Sequence, residues 1–328
     1  MMTTEISRRT FLGGLGAAAA LRPVFASESA IRIPQSAMST FHVSVLSDEI
    51  AQDFGRACEV ASREFGIGYV DLREMHNTNI MRWTAADIAE ARKVLEQFGL
   101  KVACIASPIF KVDWPGAPKS PFSPKATEFG NDFTFAQQDE LLDRAFDLAR
   151  TFNTDRVRIF DFWRLDDQAP HRQAIDDTVR KAAAKAAKRG MTLVIENEPA
   201  CNTATGAEAA RLLAAIPDKA LELTWDPGNA VTRGETPYPD GYAKLPKNRI
   251  GHVHCKDAVQ KADGKGWDWM PMGRGVIDWA GQFRALKQDG YRRAVTLETH
   301  WRGGGTPEES SRQSFAGMKA LLQKAGAA

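Results

Sequence analysis

The stretch Arg189-Gly190-Met191-Thr192-Leu193-Val194-Ile195-Glu196, near the middle of the chain, contains the unit that recurs through most of the sequence. Before it, an amphipathic pattern over Arg172–Arg189 predicts a helix, and Gly190 is the residue type that commonly follows a helix end. The run from Thr192 to Ile195 is apolar and β-branched, which is typical of a strand buried on both faces of a parallel sheet. The stretch therefore predicts a helix, a tight turn and a buried strand.

The same alternation of short apolar runs and longer amphipathic runs extends outward from about residue 40 to the end of the chain. We predict eight strands, at His42–Leu46, Tyr69–Arg73, Lys101–Ala106, Arg156–Phe162, Thr192–Glu196, Leu221–Trp225, Ile250–His254 and Ala294–Glu298. Helical patterns include Ala85–Phe98, Gln137–Thr151, Arg172–Arg189, Ala207–Ala215, Trp279–Asp289 and Glu308–Ala325. Strands that alternate with helices predict a parallel sheet, and eight of them favour a closed barrel over an open sheet. The predicted fold class is α/β, a single-domain (β/α)8 TIM barrel over residues 40–326.

Side chains that can bind a metal follow four consecutive strands, where each apolar run ends. Glu196 ends strand five, Asp226 follows strand six, His254 ends strand seven and Glu298 ends strand eight. A single acid at such a position is often a solvated loop residue or a helix N-cap, but that explanation is poor for four in succession. Because the carboxyl ends of barrel strands meet at one mouth, we expect the four side chains to lie together.

Three carboxylates and one imidazole would bind one divalent metal ion and leave positions for substrate oxygens. Mn²⁺ is the expected ion, and Mg²⁺, Co²⁺ and Zn²⁺ suit the same donors. The four cysteines, Cys58, Cys104, Cys201 and Cys255, are widely spaced and form no Cys-x-x-Cys pair, so they indicate no thiolate zinc site. We expect them to be free and buried.

These residues resemble the sugar phosphate isomerase/epimerase family, the xylose isomerase-like group of barrels. The likeness rests on the four strand-end residues and on the run His252-Val253-His254-Cys255-Lys256-Asp257. It extends to the segments 45–50, 69–73 and 271–279, and it covers roughly residues 40 to 325. The resemblance implies that Glu196, Asp226, His254 and Glu298 are the metal ligands.

The resemblance also implies that Glu196 and Glu298 are catalytic, since in the epimerases of the family two glutamates flank the substrate and move a proton. Removal of a proton beside a carbonyl requires a base near that carbon and a cation near the developing enediolate oxygen. Carboxylates on opposite faces would remove the proton from one side and return it to the other.

Asn229 departs from the pattern, because many relatives have a histidine three residues after the strand-six aspartate. An amide can hydrogen-bond a substrate hydroxyl, but it does not titrate near neutral pH. Asn229 therefore counts against ordinary ketose epimerisation. The chain has only six histidines, which argues against the histidine-rich three-metal site of endonuclease IV-like enzymes.

Five further residues are candidates for substrate binding, each with an ordinary structural alternative. Lys256 could polarise a carbonyl or pair with an acid, and Arg274 could reach substrate oxygens or be solvated. Trp163 could stack on a sugar or pack in the core. His76 could line the pocket or lie on the surface, and Glu198 could bond a hydroxyl or be a solvated loop acid.

The N-terminus predicts a targeting segment rather than part of the fold. Arg8 and Arg9 precede a short, glycine-rich apolar stretch, and Val24-Phe25-Ala26 is typical of a cleavage site. This pattern resembles a twin-arginine signal within residues 1–30, which implies the twin-arginine export machinery as a partner and a periplasmic or otherwise exported location. The apolar stretch is too short and glycine-rich for a stable membrane span. The oligomeric state stays open, a homo-oligomer included.

The sequence favours an enzyme over the other classes. A formal net charge of +2 gives no support to a nucleic-acid partner. We expect a metal-dependent isomerase or epimerase that acts on an unphosphorylated keto-sugar by removing a proton beside the carbonyl. The alternatives are a lyase or hydratase acting on an oxidised sugar, such as a 3-keto-glycoside, and a non-catalytic sugar-binding barrel.

Overall fold

Eight parallel β-strands form the centre of the molecule and confirm the predicted (β/α)8 barrel. The computed structural model describes residues 39–123 and 133–328, so the expected export signal lies outside the described residues. The strands are β1 (His42–Val45), β2 (Tyr69–Leu72), β3 (Lys101–Ile105), β4 (Arg156–Ile159), β5 (Thr192–Glu196), β6 (Leu221–Trp225), β7 (Ile250–Cys255) and β8 (Ala294–Leu297).

The strands follow one another around the barrel in chain order, and β8 pairs in parallel with β1. Between β1 and β2 the ring is completed by a single parallel bridge between Leu46 and Asp71. Ser44 Oγ also donates a hydrogen bond to Asp71 Oδ1 across 2.9 Å. The barrel is therefore nearly closed, and the eight carboxyl ends share one mouth.

Helices surround the strands. The main ones are α1 (Phe54–Glu59), α2 (Ala85–Phe98), α3 (Gln138–Thr151), α4 (Arg172–Lys188), α5 (Gly206–Ala215), α6 (Pro227–Thr232), α7 (Trp279–Gln288) and α8 (Pro307–Lys324). Shorter helical segments lie at Ser47–Ile50, Val60–Glu64, Ile80–Arg82, Phe135–Gln137, Pro237–Gly241, Tyr242–Lys244 and Lys247–Arg249. Local sequence sets the limits of α2, where Thr84 and Asp87 form a capping box and Gly99 adopts φ 64° after the last turn.

Strand β4 is shorter than the predicted strand Arg156–Phe162, because the chain leaves the barrel after Ile159. The backbone N–H groups of Phe160 and Phe162 donate to the carbonyls of Ile109 and Phe110, each across 2.9 Å. Phe162 also has a φ of 70°, which is incompatible with an extended strand. Apolar character alone predicted a longer strand, whereas the observed partner of this run is the loop after β3.

Residues 256–278, between β7 and α7, contain an antiparallel hairpin with strands Asp257–Gln260 and Trp267–Met270. The loop after the hairpin folds around the carboxylate of Asp257. This carboxylate accepts, at 3.0 to 3.3 Å, the backbone N–H groups of Ala258, Gly273, Gly275 and Ile277. A Cβ at Gly275 would clash with this carboxylate, so the close approach requires glycine.

The four cysteines are buried and free, as the sequence predicted. In residues 39–123 and 133–328, no helix combines the length and the apolar character needed to cross a membrane.

Candidate metal centre

Glu196, Asp226, His254 and Glu298 lie together at the carboxyl-terminal mouth of the barrel, and we call these four residues the strand-end cluster. All four side chains are buried. One possible ligand atom from each lies within 4.8 Å of the others. His254 Nδ1 is 3.3 Å from Glu196 Oε1, 3.8 Å from Asp226 Oδ2 and 3.5 Å from Glu298 Oε2.

Hydrogen bonds to neighbouring residues hold Asp226 in place. Its Oδ1 accepts the backbone N–H of Asn229 across 2.8 Å and caps α6, in which Pro227 is the first residue. Its backbone N–H and C=O both bond the side chain of Asn197, each across 2.8 Å. The other carboxylate oxygen, Oδ2, is the one nearest His254.

Asn229 is bonded to the protein rather than free to meet a substrate. Its Nδ2 donates to Glu196 Oε1 across 3.1 Å and to the backbone oxygen of Asn197 across 2.9 Å. An amide nitrogen has two hydrogens, so these two bonds use its full donor capacity. The structure therefore corrects the expected substrate contact through this N–H₂ group: Asn229 positions Glu196.

Lys256 contacts the strand-end cluster directly. Its Nζ lies 2.6 Å from Asp226 Oδ2 and also forms an ion pair with Glu298 Oε2. Its side chain is 3% exposed. A Cβ at Gly228 would clash with Lys256 Cγ, so the glycine after Pro227 leaves the space in which the lysine stem lies.

Two arginines, Arg158 buried and Arg73 partly buried, add positive charge around the glutamates. Arg158, on β4, places a guanidinium nitrogen 3.1 Å from Glu196 Oε2. Arg73, directly after β2, lies 3.4 Å from Glu298 Oε1 and pairs with Asp48 and Glu49 at 2.6 and 2.7 Å. Each glutamate of the cluster is therefore held from the side by an arginine.

Burial and charge have opposite effects on these groups. Burial would raise the pKa of Glu196 and of Glu298, but His254 and Arg158 around the first, and Lys256 and His300 around the second, hold both values below the usual range. Burial raises the pKa of Asp226 to about 6, although Lys256 opposes it. Burial alone would lower the pKa of His254, but the two glutamates raise it to about 10.

The donor set fits a divalent cation. Glu196 Oε2 and Asp226 Oδ2 are buried and accept no hydrogen bond, and their close neighbours are cationic side chains. A buried carboxylate oxygen without a hydrogen bond is costly, and a metal ion would be a suitable partner. Three carboxylates and an imidazole are ligands for Mn²⁺, Mg²⁺, Co²⁺ or Zn²⁺.

Two adjoining groups share a residue with the cluster but have stronger partners in the protein. The groups are Asp71, His252 and His254, and Glu49, Glu298 and His300. Asp71 Oδ2 lies 2.7 Å from His252 Nε2, and Asp71 Oδ1 accepts the hydroxyl of Ser44. Glu49 pairs with both Arg73 and Arg302. The strand-end cluster is thus the better candidate for a cation.

A cavity of about 220 Å³ adjoins Glu298 and is lined by Glu49, Arg73, Glu74 and His300. The ring of Trp269, from the hairpin, packs edge-to-face on His300 with the centroids 5.0 Å apart. A larger cavity of about 870 Å³, lined in part by residues of α2, contains no member of the cluster. The small cavity is therefore lined by polar side chains next to Glu298, and one of them, His300, packs against an aromatic ring.

Glu198, a predicted substrate-binding residue, follows β5 and is partly buried. Its Oε2 pairs with Lys111 Nζ across 3.0 Å. Lys111 lies over the rings of Phe160 and Trp163, with its nitrogen 4.7 and 5.5 Å from their centroids. Trp163 itself is 5% exposed and packs with Phe160 and Cys201. Trp163 therefore packs in the core and has no free face for a sugar, which corrects its expected substrate contact.

The structure does not bring His76 or Arg274 to the cluster. The side chain of His76 is 51% exposed, and its Nε2 lies 3.0 Å from Glu90 on α2. Arg274 is exposed at the tip of the turn around Asp257, and its side chain has no hydrogen bond or ion pair to the described residues. Both residues are surface positions, which corrects their expected substrate contacts.

Comparison with known proteins places the fold in a family. Residues 60–321 match the family model described as xylose isomerase-like TIM barrel. The chain belongs to this family. The resemblance seen in the sequence is thereby confirmed, whereas no curated protein matches the chain.

Solved structures of the same fold include proteins with different stated properties. A probable 3-DHS dehydratase from Bacillus anthracis is 17% identical, with 86% of this chain and 99% of that chain covered and a TM-score of 0.65. A D-allulose 3-epimerase from Methylomonas sp., in complex with D-allulose, is 16% identical, with 87% and 98% covered and a TM-score of 0.62. A barrel from Mycobacterium smegmatis, in complex with magnesium, is 17% identical, with 88% and 98% covered and a TM-score of 0.61. The chain spans 42% of another match, a fusion with a 4-hydroxyphenylpyruvate dioxygenase.

Sequence reasoning missed Arg158 and Asn197 as neighbours of the cluster. The signal for Arg158 was available, because Arg156-Val157-Arg158 places two arginines in a strand predicted to be buried. Charged groups in such a strand need partners inside the barrel.

Proposed function

We propose that the protein is a divalent-metal-dependent sugar isomerase or epimerase that acts on an unphosphorylated keto-sugar by removing a proton beside the carbonyl. The observation that carries this proposal is the convergence of the strand-end cluster, whose possible ligand atoms lie within 4.8 Å of one another. The family includes proteins described as an epimerase and as a dehydratase, and both descriptions fit chemistry on sugar-like substrates.

Glu196, Asp226, His254 and Glu298 would hold the ion. When bound, the ion supplies positive charge to the substrate oxygen on which negative charge develops. Asn197 and Asn229 fix two of these ligands through hydrogen bonds of 2.8 to 3.1 Å. Replacing a residue that orients a metal ligand in this way commonly weakens metal affinity by roughly 10- to 100-fold.

Glu196 and Glu298 are the proposed proton-transferring pair. Their neighbouring cations lower the pKa of both, so both are ionised near neutral pH and able to accept a proton. Glu196 ends β5 and Glu298 directly follows β8, and their carboxylates lie 3.3 and 3.5 Å from His254 Nδ1. A substrate carbon held between them would meet one carboxylate on each face.

The cavity next to Glu298 is the proposed position for substrate hydroxyls. Arg73 and His300 provide hydrogen-bond donors there, and Glu49 provides an acceptor. The Trp269 ring, beside His300, gives an apolar face of the kind on which sugars stack. Polar groups with one aromatic face suit a neutral, hydroxyl-rich ligand.

We also propose that the chain is exported by the twin-arginine route and acts in the periplasm or another exported compartment. The support is the order of Arg8, Arg9, the apolar stretch and the small-residue site. Replacing both arginines with lysine should keep a tagged chain in the cytoplasmic fraction. Undiminished export of that variant would overturn this part of the proposal.

A second candidate is a lyase or hydratase acting on an oxidised sugar such as a 3-keto-glycoside. Asn229 favours it, because the amide holds Glu196 and cannot itself exchange a proton at neutral pH. Elimination also begins with removal of a proton beside a carbonyl, so Glu196 and Glu298 would serve the same purpose. The two functions differ in the product rather than in the first step.

The test is proton exchange followed by NMR. The full protein, loaded with Mg²⁺ or Zn²⁺, would be incubated in D₂O with free keto-sugars and 3-keto-glycosides. Deuterium at a carbon beside the carbonyl, lost after EDTA, is the expected result, and the product then separates epimerase from lyase. Substrate binding without exchange on any member of the panel would favour the sugar-binding barrel and contradict the proposal.

A further inference from the structure

Lys256 is the one lysine of the described residues that lies inside the mouth and touches the strand-end cluster. Its ammonium pairs with Asp226 Oδ2 at 2.6 Å and with Glu298 Oε2. The Lys256 side chain is only 3% exposed, so these ion pairs lie inside the protein rather than at its surface. The sequence left two alternatives for Lys256, polarising a substrate carbonyl or pairing with an acid, and its ammonium pairs with two acids that are proposed metal ligands.

The oxygen atoms that bind Lys256 are the same ones that face His254. Asp226 Oδ2 lies 3.8 Å and Glu298 Oε2 lies 3.5 Å from His254 Nδ1. Both carboxylates belong to the cluster whose possible ligand atoms lie within 4.8 Å of one another. An ammonium and a divalent ion therefore require the same acceptors.

The backbone at Lys256 is fixed, so that only its side chain can adjust. The carbonyl of Lys256 accepts the indole N–H of Trp279 across 3.1 Å. The next residue, Asp257, accepts four backbone N–H groups. The stem passes over Gly228, where no side chain impedes its movement.

A second position for the ammonium lies close by. The centroid of the Trp269 ring is 5.4 Å from Lys256 Nζ, within the range of a cation–π contact. This ring also packs against His300, which lines the cavity beside Glu298. An ammonium that moves away from Asp226 would remain partnered, and it would then face the substrate cavity.

We propose that Lys256 is an internal competitor for the metal ion, whose ammonium must leave Asp226 and Glu298 before the divalent ion is fully bound. The inference rests on the proposed metal site. Lys256 is thereby a positioning residue that sets metal affinity and keeps the carboxylates paired until the ion binds. It also couples metal binding to the arrival of a cationic donor beside the substrate cavity.

The sign of the effect follows from the charges. Loss of the ammonium leaves the cluster with one positive charge fewer, which strengthens its attraction for a divalent ion. The same loss leaves buried carboxylates without a partner in the metal-free protein, which destabilises it. Metal binding should then restore more stability to the variant than to the wild type.

The experiment compares Lys256→Gln, Lys256→Arg and wild type in the full protein. Mn²⁺ affinity would be measured by calorimetry, and melting temperature would be measured with EDTA and with saturating Mn²⁺. Lys261→Gln is the matched control, because this lysine is 46% exposed on the hairpin and pairs only with Asp268 among the described residues. We expect Lys256→Gln to bind Mn²⁺ on the order of tenfold more tightly, with a lower metal-free melting temperature and a larger rise on adding Mn²⁺. Lys256→Arg and Lys261→Gln should stay within about twofold of the wild type in affinity.

The outcomes separate this inference from the metal site itself. Equal or weaker Mn²⁺ binding by Lys256→Gln, with a wild type that binds, would overturn the competition while the site stands. Binding by the variant but not by the wild type would support the competition and contradict a metal-dependent function. Binding by neither chain would overturn both. If Lys256→Gln does not fold, Lys256→Met takes its place, since it removes the charge and keeps an apolar stem of similar length.

Discussion

Two buried strand-end acids, Asp161 and Asp226, look alike but have different surroundings. Asp161 follows β4 and Asp226 follows β6, and both side chains are inaccessible to solvent. Burial raises the pKa of each to about 6, against the attraction of Arg172 in the first case and of Lys256 in the second. Position, burial and direction of the pKa shift therefore do not distinguish them.

Their hydrogen bonds do distinguish them. Asp161 binds the backbone N–H and hydroxyl of Thr203 across 2.9 and 2.7 Å, and it lies 3.4 Å from Arg172. It joins the end of β4 to the loop after β5. Asp226 Oδ2, in contrast, has neither a backbone N–H nor a hydroxyl as a partner; it faces His254 and pairs with the ammonium of Lys256 across 2.6 Å. A strand-end acid is structural where backbone and hydroxyl donors satisfy its oxygens, and it is a candidate ligand where one oxygen has only a cationic side chain as a partner.

The largest expected effect comes from replacing a proposed base. Glu298→Gln removes the carboxylate charge and should lower the rate of proton exchange into a competent substrate by roughly 10²- to 10⁴-fold. Asp161→Asn is the matched control, and it should leave the exchange rate of the folded protein within a few-fold of the wild type. NMR in D₂O measures both rates. Equal losses in the two variants would remove the distinction between the two acids.

Metal affinity should also distinguish Asp226 from Asp161. Asp226→Asn should weaken Mn²⁺ binding by roughly a hundredfold or more, because it removes a charged ligand that Asn197 and Asn229 hold in place. Asp161→Asn should not change the affinity measurably. Calorimetric titration of the EDTA-treated proteins is the measurement, and unchanged affinity in Asp226→Asn would show that the ion is held elsewhere.

The titration of Asp161 should contribute to the pH dependence of the free energy of unfolding. Its pKa is about 6 in the folded protein and has an ordinary value of 3.8, so between these values the folded state binds more protons than the unfolded state. Stability therefore falls as pH rises through this window, by up to about 3 kcal/mol. Asp161→Asn should lack this decrease. Urea unfolding at pH 4, 5, 6 and 7 gives the difference between the two proteins, and parallel curves would contradict the structural assignment.

The smallest expected effect concerns a residue outside the mouth. His76→Ala removes a pair between two half-exposed side chains, His76 and Glu90. We expect a change in unfolding free energy within about 0.5 kcal/mol and an exchange rate within about twofold of the wild type. A large loss of exchange rate in His76→Ala would instead indicate that His76 contacts the substrate.

The barrel and the strand-end cluster could be predicted because both depend on patterns along the chain. Each strand begins close to the start of an apolar run. Once these strands form a barrel, an acid or histidine at the end of a strand lies at the carboxyl-terminal mouth. The predicted end of strand four was wrong because the backbone N–H groups of Phe160 and Phe162 bond to the loop after β3. Sequence periodicity contains no information about that partner.

Side-chain partners explain the remaining errors. Asn229 and Lys256 were candidates for substrate contact, but the amide of Asn229 donates to Glu196 and the ammonium of Lys256 pairs with Asp226. Trp163 was a candidate for stacking on a sugar, but it packs against Phe160 and Cys201, and the ring beside His300 is that of Trp269. Which of several similar residues reaches a site depends on loop geometry, and the hairpin that contains Trp269 is formed by pairing that the pattern did not predict.

We propose that the mouth of the barrel holds one divalent ion between Glu196, Asp226, His254 and Glu298. Anomalous scattering from crystals grown with Mn²⁺ would locate the ion. We expect one strong peak at about 2.0 to 2.3 Å from the nearest atoms of these four side chains. No peak at this position, or a peak only at Asp71, His252 and His254 or at Glu49 and His300, would contradict it.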